Sequence, residues 1–376
     1  MLNSLVGTFS EFEDPRCAGK VVHRLINILV VAVCAVIAGA ESWEDIALYG
    51  KMKRDWLSSF LEDYCLTPSH DTLRRVFMVI NPDLFEQYFL KWVASLTTGG
   101  EREVVAIDGK TMRHSFDRSR GRTPLHLVSA FATEQGLVLG QRQVDDKSNE
   151  ITAIPELLSM LSLKNSIVTI DAMGCQRAIA EKILTQGADY ILALKGNQKT
   201  MHQAVAAHCA THCFQLGATQ KPDVDFFDDR HGRVVRRRIF ACPEACELAP
   251  LQEWPGLGQV LAVETIRRVN GTSTTQADIR YFLSSCPDSV EKQVQGIRRH
   301  WEIENRVHWV LDMSFREDDC RIREKTSARC FAVLRKIALN LVRQDKHSRV
   351  SLKARRKQSA WSNEYMQQIL FGKFHA

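Results

Sequence analysis

The sequence predicts a mixed α/β fold, a mixed sheet flanked by helices and carrying a strand-rich insertion, preceded by an all-helical N-terminal domain. Three observations predict it. Residues 1–97 place apolar side chains at helical spacing; from Glu103 short β-rich runs alternate with helical ones; residues 220–285 are strand-like again before helices resume. Taken in order, Val21–Ala40 reads as an apolar helix, and Ser42-Trp-Glu-Asp45 opens a second through a Ser-x-x-Asp cap. Thr67–Thr72 starts a third, with Leu73, Val76 and Phe77 on one side and Arg74 and Arg75 on another. Short helices ahead of such a helix suit a helix-turn-helix on DNA, and suit plain helical packing too. Thr97-Thr-Gly-Gly100 reads as a linker.

Strands are then expected at Glu103–Asp108, Leu125–Phe131 and Leu137–Val144, the last two joined as a hairpin through Glu134-Gln-Gly136. A helix over Ile151–Leu161, a strand over Ile167–Asp171, a helix over Gln176–Gln186, a strand over Tyr190–Leu194 and a helix from Gln198 follow. The order β-β-β-α-β-α-β-α is that of a ribonuclease-H-like fold, assigned to residues 101–343. Val234–Phe240, Gln259–Arg268 and Ala277–Ser284 are the strands of the insertion at about 220–285, and helices run from Ser289 to about Val342. Residues 344–376 read as a basic C-terminal tail.

Composition narrows the function. The balance of 50 Lys and Arg against 44 Asp and Glu is only mildly basic, but the charge is clustered. Arg113, Arg118, Arg120 and Arg122 form one group; Arg230, Arg233, Arg236, Arg237 and Arg238 a second; Arg343 to Lys357 a third. Such runs are ordinary solvated faces or phosphate contacts, and three of them favour a polyanionic partner. The longest apolar run, Ile28–Ala40, has 13 residues, short of the roughly 20 that a spanning helix needs, so no membrane partner is expected. Eleven cysteines without a regular framework, and an N-terminus without a basic region before an apolar stretch, place the chain in a reducing cytoplasm. His208, Cys209, His212, Cys213, Cys242 and Cys246 have spacings that can hold zinc, but the loose Cys242–Cys246 pair and the long gap before it favour incidental thiols and histidines.

Three carboxylates carry the chemistry. Asp108 closes the apolar run Val104-Val-Ala-Ile107 and Asp171 closes Ile167-Val-Thr-Ile170. Either alone is an ordinary turn former. On neighbouring parallel strands they would share an ion, and oxygen donors suit Mg²⁺ or Mn²⁺. At 100° per residue Glu304 falls on the stripe of Val290, Val294, Ile297, Trp301, His308 and Leu311, where an acid needs a cation or a buried arginine or lysine. Two such ions suit in-line phosphoryl displacement. Lys110 and Lys195, just past strand ends, are expected to contact phosphate, and Asp145, Asp146 and Glu150 either approach the ions or cap the helix at Ile151. Asp318 and Asp319 are read as local ion-pair partners of Arg316 and Arg321.

Ala106-Ile-Asp-Gly-Lys-Thr-Met-Arg-His-Ser115, Asp145-Asp-Lys-Ser-Asn-Glu-Ile-Thr-Ala-Ile-Pro-Glu156, Thr169-Ile-Asp-Ala-Met-Gly-Cys-Gln176 and Ala193-Leu-Lys-Gly-Asn-Gln198 carry a resemblance, as do His231-Gly-Arg233, His300-Trp-Glu-Ile-Glu-Asn-Arg-Val-His-Trp309 and Leu311–Arg323. Over nearly its whole length the chain resembles the H-repeat-associated, Rhs-linked insertion-sequence transposases. That resemblance implies a DDE core with Asp108, Asp171 and Glu304 as ligands of, in all, two metal ions, and a transposase-associated domain at residues 1–97. It also implies cleavage and transfer of double-stranded DNA at element ends, a homodimer or larger assembly, and a place on the nucleoid. The wider DDE group has a Tyr, an Arg and a Lys around the glutamate; this chain has Ile297, His300 and Leu311 at that spacing, which passes the grip on DNA to Arg298, Arg299, Arg306 and His300. A catalytically silent DNA-binding descendant, supported by that altered helix, and a nuclease of the same fold are the rival readings.

Overall fold

The computed structural model describes residues 1–97, 102–116, 121, 123–145, 149–214, 220–228, 233–269 and 275–372; at 233, 234, 268, 269, 275 and 276 it describes the backbone alone. Arg118, Arg120, Arg122, Asp146, Arg230, His231 and the glycines of the expected linker lie outside the described residues.

The elements follow in chain order. Six helices come first: α1 (Leu2–Ser10), α2 (Leu25–Ala38), α3 (Trp43–Met52), α4 (Arg54–Ser58), α5 (His70–Val79) and α6 (Pro82–Leu96). Strands β1 (Glu103–Thr111), β2 (His126–Ala132) and β3 (Leu137–Gln143) precede α7 (Glu150–Met160), β4 (Ser166–Ile170), α8 (Arg177–Thr185), β5 (Asp189–Leu194) and α9 (Lys199–Cys209). Strands β6 (Val224–Asp228), β7 (Arg233–Cys242), β8 (Gln259–Val269) and β9 (Thr275–Ser284) lead to α10 (Val290–His300), α11 (Trp309–Phe315), α12 (Lys325–Arg343), α13 (Leu352–Trp361) and α14 (Asn363–Phe371). Among the described residues the strands form one mixed sheet, ordered β3-β2-β1-β4-β5-β9-β8-β7-β6.

The chain divides into two compact units. The first comprises residues 1–99, 109–149 and 304–376. Its centre is two helices that are buried nearly all round. In α2 every residue from Ile28 to Ile37 is buried, which explains why so apolar a run occurs: a helix without a polar face is a core helix. Gly39 ends it at φ +117°, a conformation that other residues resist, and the Ala40 amide closes the turn on the Ala35 carbonyl. The Ser42–Asp45 capping box opens α3 as expected, and Trp43 stacks on Phe77 of α5 at 4.7 Å.

In α12 all residues from Ser327 to Val342 are buried, including three cations. Arg329 meets Glu86 at 2.7 Å, Lys336 donates to Gln141 at 2.5 Å, and Arg335 lies over the Phe331 ring at 4.4 Å. Residues 344–372 are therefore not a tail. They fold as α13 and α14 within this unit, and Arg356 is buried, donating to the Val36 and Ile37 carbonyls at the end of α2 while covering the Phe315 ring. One arginine of the third basic run thus caps a core helix, while Lys346, Arg349, Lys353 and Lys357 stay exposed. No single helix among the described residues is long and apolar enough to cross a membrane.

The second unit comprises residues 100–108 and 150–303. Strands β1, β4 and β5 run parallel; β9 pairs antiparallel with β5, and β8, β7 and β6 continue outward. The expected insertion is thus an extension of the sheet, its register set by pairs such as Leu192↔Leu283. Helix α10 packs on β4 and β5. Gln293 is fully buried and satisfied by Ser284 Oγ and the Cys286 and Asp288 carbonyls, and Gly296 lets the helix approach Ile191.

Candidate active site

The second unit places two of the three acids side by side. Strands β1 and β4 pair in parallel from Glu103↔Ser166 to Ile107↔Ile170. Asp108 and Asp171 are the next residue on each, so strand spacing sets their Cα atoms about 5 Å apart. Both are partly exposed, at the carboxyl ends of the parallel strand pairing, where open α/β sheets bind ligands. Asp171 also caps a short 3₁₀ turn, accepting the Met173 amide at 3.0 Å. Gly174 in that turn has no space for a side chain: a Cβ would lie 2.3 Å from Ile170 Cγ2.

Three further groups converge on this edge. Thr169 Oγ1 lies 3.1 Å from His300 Nδ1, from the last turn of α10. Burial pushes the His300 imidazole below its ordinary pKa; Asp171 and Thr169 pull it up, and Lys195 pushes it down. Lys195, exposed just past β5, therefore shares the field of Asp171 and His300. The carboxamides of Asn197 and Gln198 clasp the turn after Asp171, donating to the Ala172 and Cys175 carbonyls at 2.6 and 2.9 Å. Thr169, Asn197 and Gln198 have no assigned role in the sequence reading, although each sits inside a motif that carries the family resemblance. Arg298 is exposed and lies against the Phe226 ring, and Arg299 is half-buried beside it. Arg233 opens β7 with its side chain outside the described residues.

Glu304 lies in the first unit, and its local setting differs from the expected apolar stripe. The helix does not continue at 100° per residue. After α10, residues Ile303–His308 wind as a π segment with i→i+5 bonding before α11 begins. The extra residue rotates the pattern: Ile303 and Val307 are buried, while Glu304 is exposed; Trp301, just before the segment, is 48% exposed. Glu304 is thus presented to solvent without the cost of burying an unpaired carboxylate.

Two lysine and arginine expectations also change. Lys110 is mostly buried, its ammonium 2.6 Å from Asp312, 3.1 Å from Glu317 and 3.3 Å from Asp318. Burial works against its charge, but those three carboxylates outweigh it and raise its pKa, so it is an internal counter-ion and not a phosphate ligand. Arg306 donates to the Thr133 carbonyl at 2.8 Å and covers Phe131, bracing the turn between β2 and β3. Arg113 remains largely exposed, 3.3 Å from Asp318, so that acid pairs across the unit and not with a sequence neighbour; Asp319 does pair locally with Arg316. Glu150 opens α7, and Asp145 precedes it in the other unit.

Paired aspartates on adjacent parallel strands, with a third acid exposed on a distorted helix, suggest the phosphoryl-transfer enzymes built on acidic metal sites. The chain belongs to the DDE transposases: residues 99–341 match the family described as Transposase DDE domain, and residues 6–93 the one described as DDE_Tnp_1-associated. It is 39% identical to the "H repeat-associated putative transposase YhhI" of Escherichia coli K12, over 99% of this chain and 98% of that protein. It is 40% identical to the "Putative protein YbfL" of the same strain over the same shares, and 39% identical to the "Putative transposase YncI" of Escherichia coli O157:H7 over 98% and 95%. Among solved structures, a piggyBac transposase synaptic complex with hairpin DNA is similar at a TM-score of 0.41 and 11% identity, over all of this chain and 79% of that one, a likeness that carries no argument here.

Proposed function

We propose that this DDE transposase cuts and joins DNA strands at the ends of an insertion-sequence-like element, with Asp108, Asp171 and Glu304 as its acidic triad on a ribonuclease-H-like core. The observation that carries the reading is the parallel register Ile107↔Ile170, which makes Asp108 and Asp171 neighbours. The donor set fits a hard divalent cation: carboxylate oxygens, partly exposed, at a strand edge where Gly174 and the 3₁₀ turn keep bulk away. Mg²⁺ or Mn²⁺, as two ions, would supply charge neutralisation and nucleophile activation at the phosphate.

The chain's own residues do the rest. Asn197 and Gln198 fix the turn that orients Asp171. His300, with Nδ1 toward Thr169, holds Nε2 for a phosphate oxygen, Lys195 adds positive charge near it, and Arg298 is a further backbone contact. Arg299, Arg113 and Arg233 serve as further backbone contacts, and the N-terminal helices read the element ends, His70, Arg74 and Arg75 being exposed on α5. Two DNA ends must meet, so the working form is a homodimer or larger assembly on the nucleoid in the cytoplasm.

The test is incubation of the purified protein with linear DNA bearing the ends of its own flanking element, in Mg²⁺ or Mn²⁺. Strand cleavage leaving a 3′ hydroxyl is expected, with no product from Asp171→Ala. Binding without cleavage under every divalent ion would refute an active transposase, and preferential cutting of an RNA–DNA hybrid would point to a nuclease.

A further inference from the structure

Three cysteines from separate stretches of the second unit meet in its interior. Cys209 ends α9, Cys213 lies four residues on in the π segment Ala210–Phe214, and Cys242 ends β7. Their sulfurs all lie within 4.8 Å of one another, with Cys213–Cys242 at 3.5 Å and Cys209–Cys242 at 3.9 Å. All three are buried. Ligands about 2.3 Å from a tetrahedral centre are about 3.8 Å apart, so these separations are those of thiolates around one ion. A fourth donor is in place. The Gln220 carboxamide is anchored by its nitrogen to the Ala241 carbonyl at 2.6 Å, which turns its oxygen to 3.3 Å from Cys213 Sγ and 3.8 Å from Cys242 Sγ. The histidines do not take part: His208 and His212 stack on each other, and His212 Nδ1 bonds the His208 carbonyl.

We infer that Cys209, Cys213 and Cys242, with the Gln220 carboxamide oxygen, form a structural zinc site, separate from the acidic edge. Three soft thiolates select a thiophilic cation over magnesium. Each thiol passes its proton to solvent as its sulfur binds the ion, so uptake releases three protons. The cysteines are buried, so the ion enters while the chain folds. Its effect is to staple the end of α9 to the end of β7 in the sheet extension.

The test uses the full chain, made without an affinity histidine tag or chelator and kept reduced. Elemental analysis should find about one zinc per chain, retained in Cys246→Ser and at least tenfold lower in Cys213→Ser and Cys242→Ser. Because those variants lose folding support as well as ligands, the wild type is also produced in cobalt-supplemented medium. Thiolate-to-cobalt charge transfer with the intense visible bands of a tetrahedral centre is expected. Wild-type protein without zinc and without those bands overturns the site. So does zinc that persists in both serine variants, or a Cys213–Cys242 disulfide found in protein isolated from cells.

Discussion

His300 Nδ1 stands 3.1 Å from Thr169 Oγ1, on the strand that ends at Asp171 two residues later. At this position the wider family pattern has an arginine, and the chain puts a shorter side chain there with its second nitrogen directed away from the threonine. A positioned imidazole in the field of Asp171 replaces a freely reaching guanidinium. Replacing His300 with Ala is expected to slow strand cleavage about 10- to 100-fold, the effect of losing one hydrogen bond to a charged phosphate. Thr169→Val should give a smaller loss in the same direction. Cleavage rates on end-bearing DNA, paired with melting curves, check both.

The His300 pKa lies below its ordinary value, so the group gives no stability that depends on being charged near neutrality. Its depressed value makes protonation cost stability as pH falls below 6.5, the value of an unperturbed histidine. Nitrogen NMR of the imidazole should show a neutral ring at pH 6.5; a protonated ring there would contradict the burial.

The turn after Asp171 has no slack. Gly174→Ala drives a methyl to 2.3 Å from Ile170 Cγ2, and overpacking of this kind costs about 1–3 kcal/mol. Asn197→Ala removes the side-chain donor to the Ala172 carbonyl and leaves it only the Cys175 amide at 3.2 Å. Both are expected to lower cleavage more than DNA binding, measured by band shift alongside nicking.

Glu86 is fully buried between Arg329 at 2.7 Å and Gln141 at 2.9 Å. Removing one partner strands a charge, so Arg329→Ala should lose about 3–5 kcal/mol in urea unfolding. A loss below 1 kcal/mol, on the order of an exposed pair, would show that the network is not closed in solution.

Glu317 has the opposite burden from His300. Burial pushes its carboxyl up, but Lys110, Lys336 and Arg335 outweigh this and hold it down at about 2. A depressed acid stabilises above its unfolded pKa and loses that contribution as pH falls through the folded value. The window therefore runs from about 4.5 down to about 2, and spans about 3 kcal/mol. Glu317→Gln should flatten the acid limb of the stability curve relative to wild type across that window.

The two aspartates were legible because an acid ending a β-branched run is a local signal, and the β-β-β-α-β-α-β-α order implies a sheet in which their strands are neighbours. Ser42, Gly39 and the apolar α2 were legible for the same reason. What escaped is long-range. Lys110 finds Glu317 and Asp318 at separations of 207 and 208 residues. Arg356 caps a helix end 320 residues earlier. The π segment at Ile303–His308 defeats any reading that extrapolates a fixed helical angle, and so the stripe misplaced Glu304. Cys242 joins Cys209 and Cys213 only because β7 ends beside α9 in the folded unit.

Under the proposed function Asp108, Asp171 and Glu304 grip the same divalent ions. Iron(II) substituted at such a site generates hydroxyl radicals with peroxide and ascorbate, and these cut the polypeptide beside the metal. Fragments ending near residues 108, 171 and 304, suppressed by excess Mg²⁺ and absent in Asp171→Ala, are the predicted result. Cuts near only one of the three, or a pattern unchanged by Asp171→Ala, would contradict it.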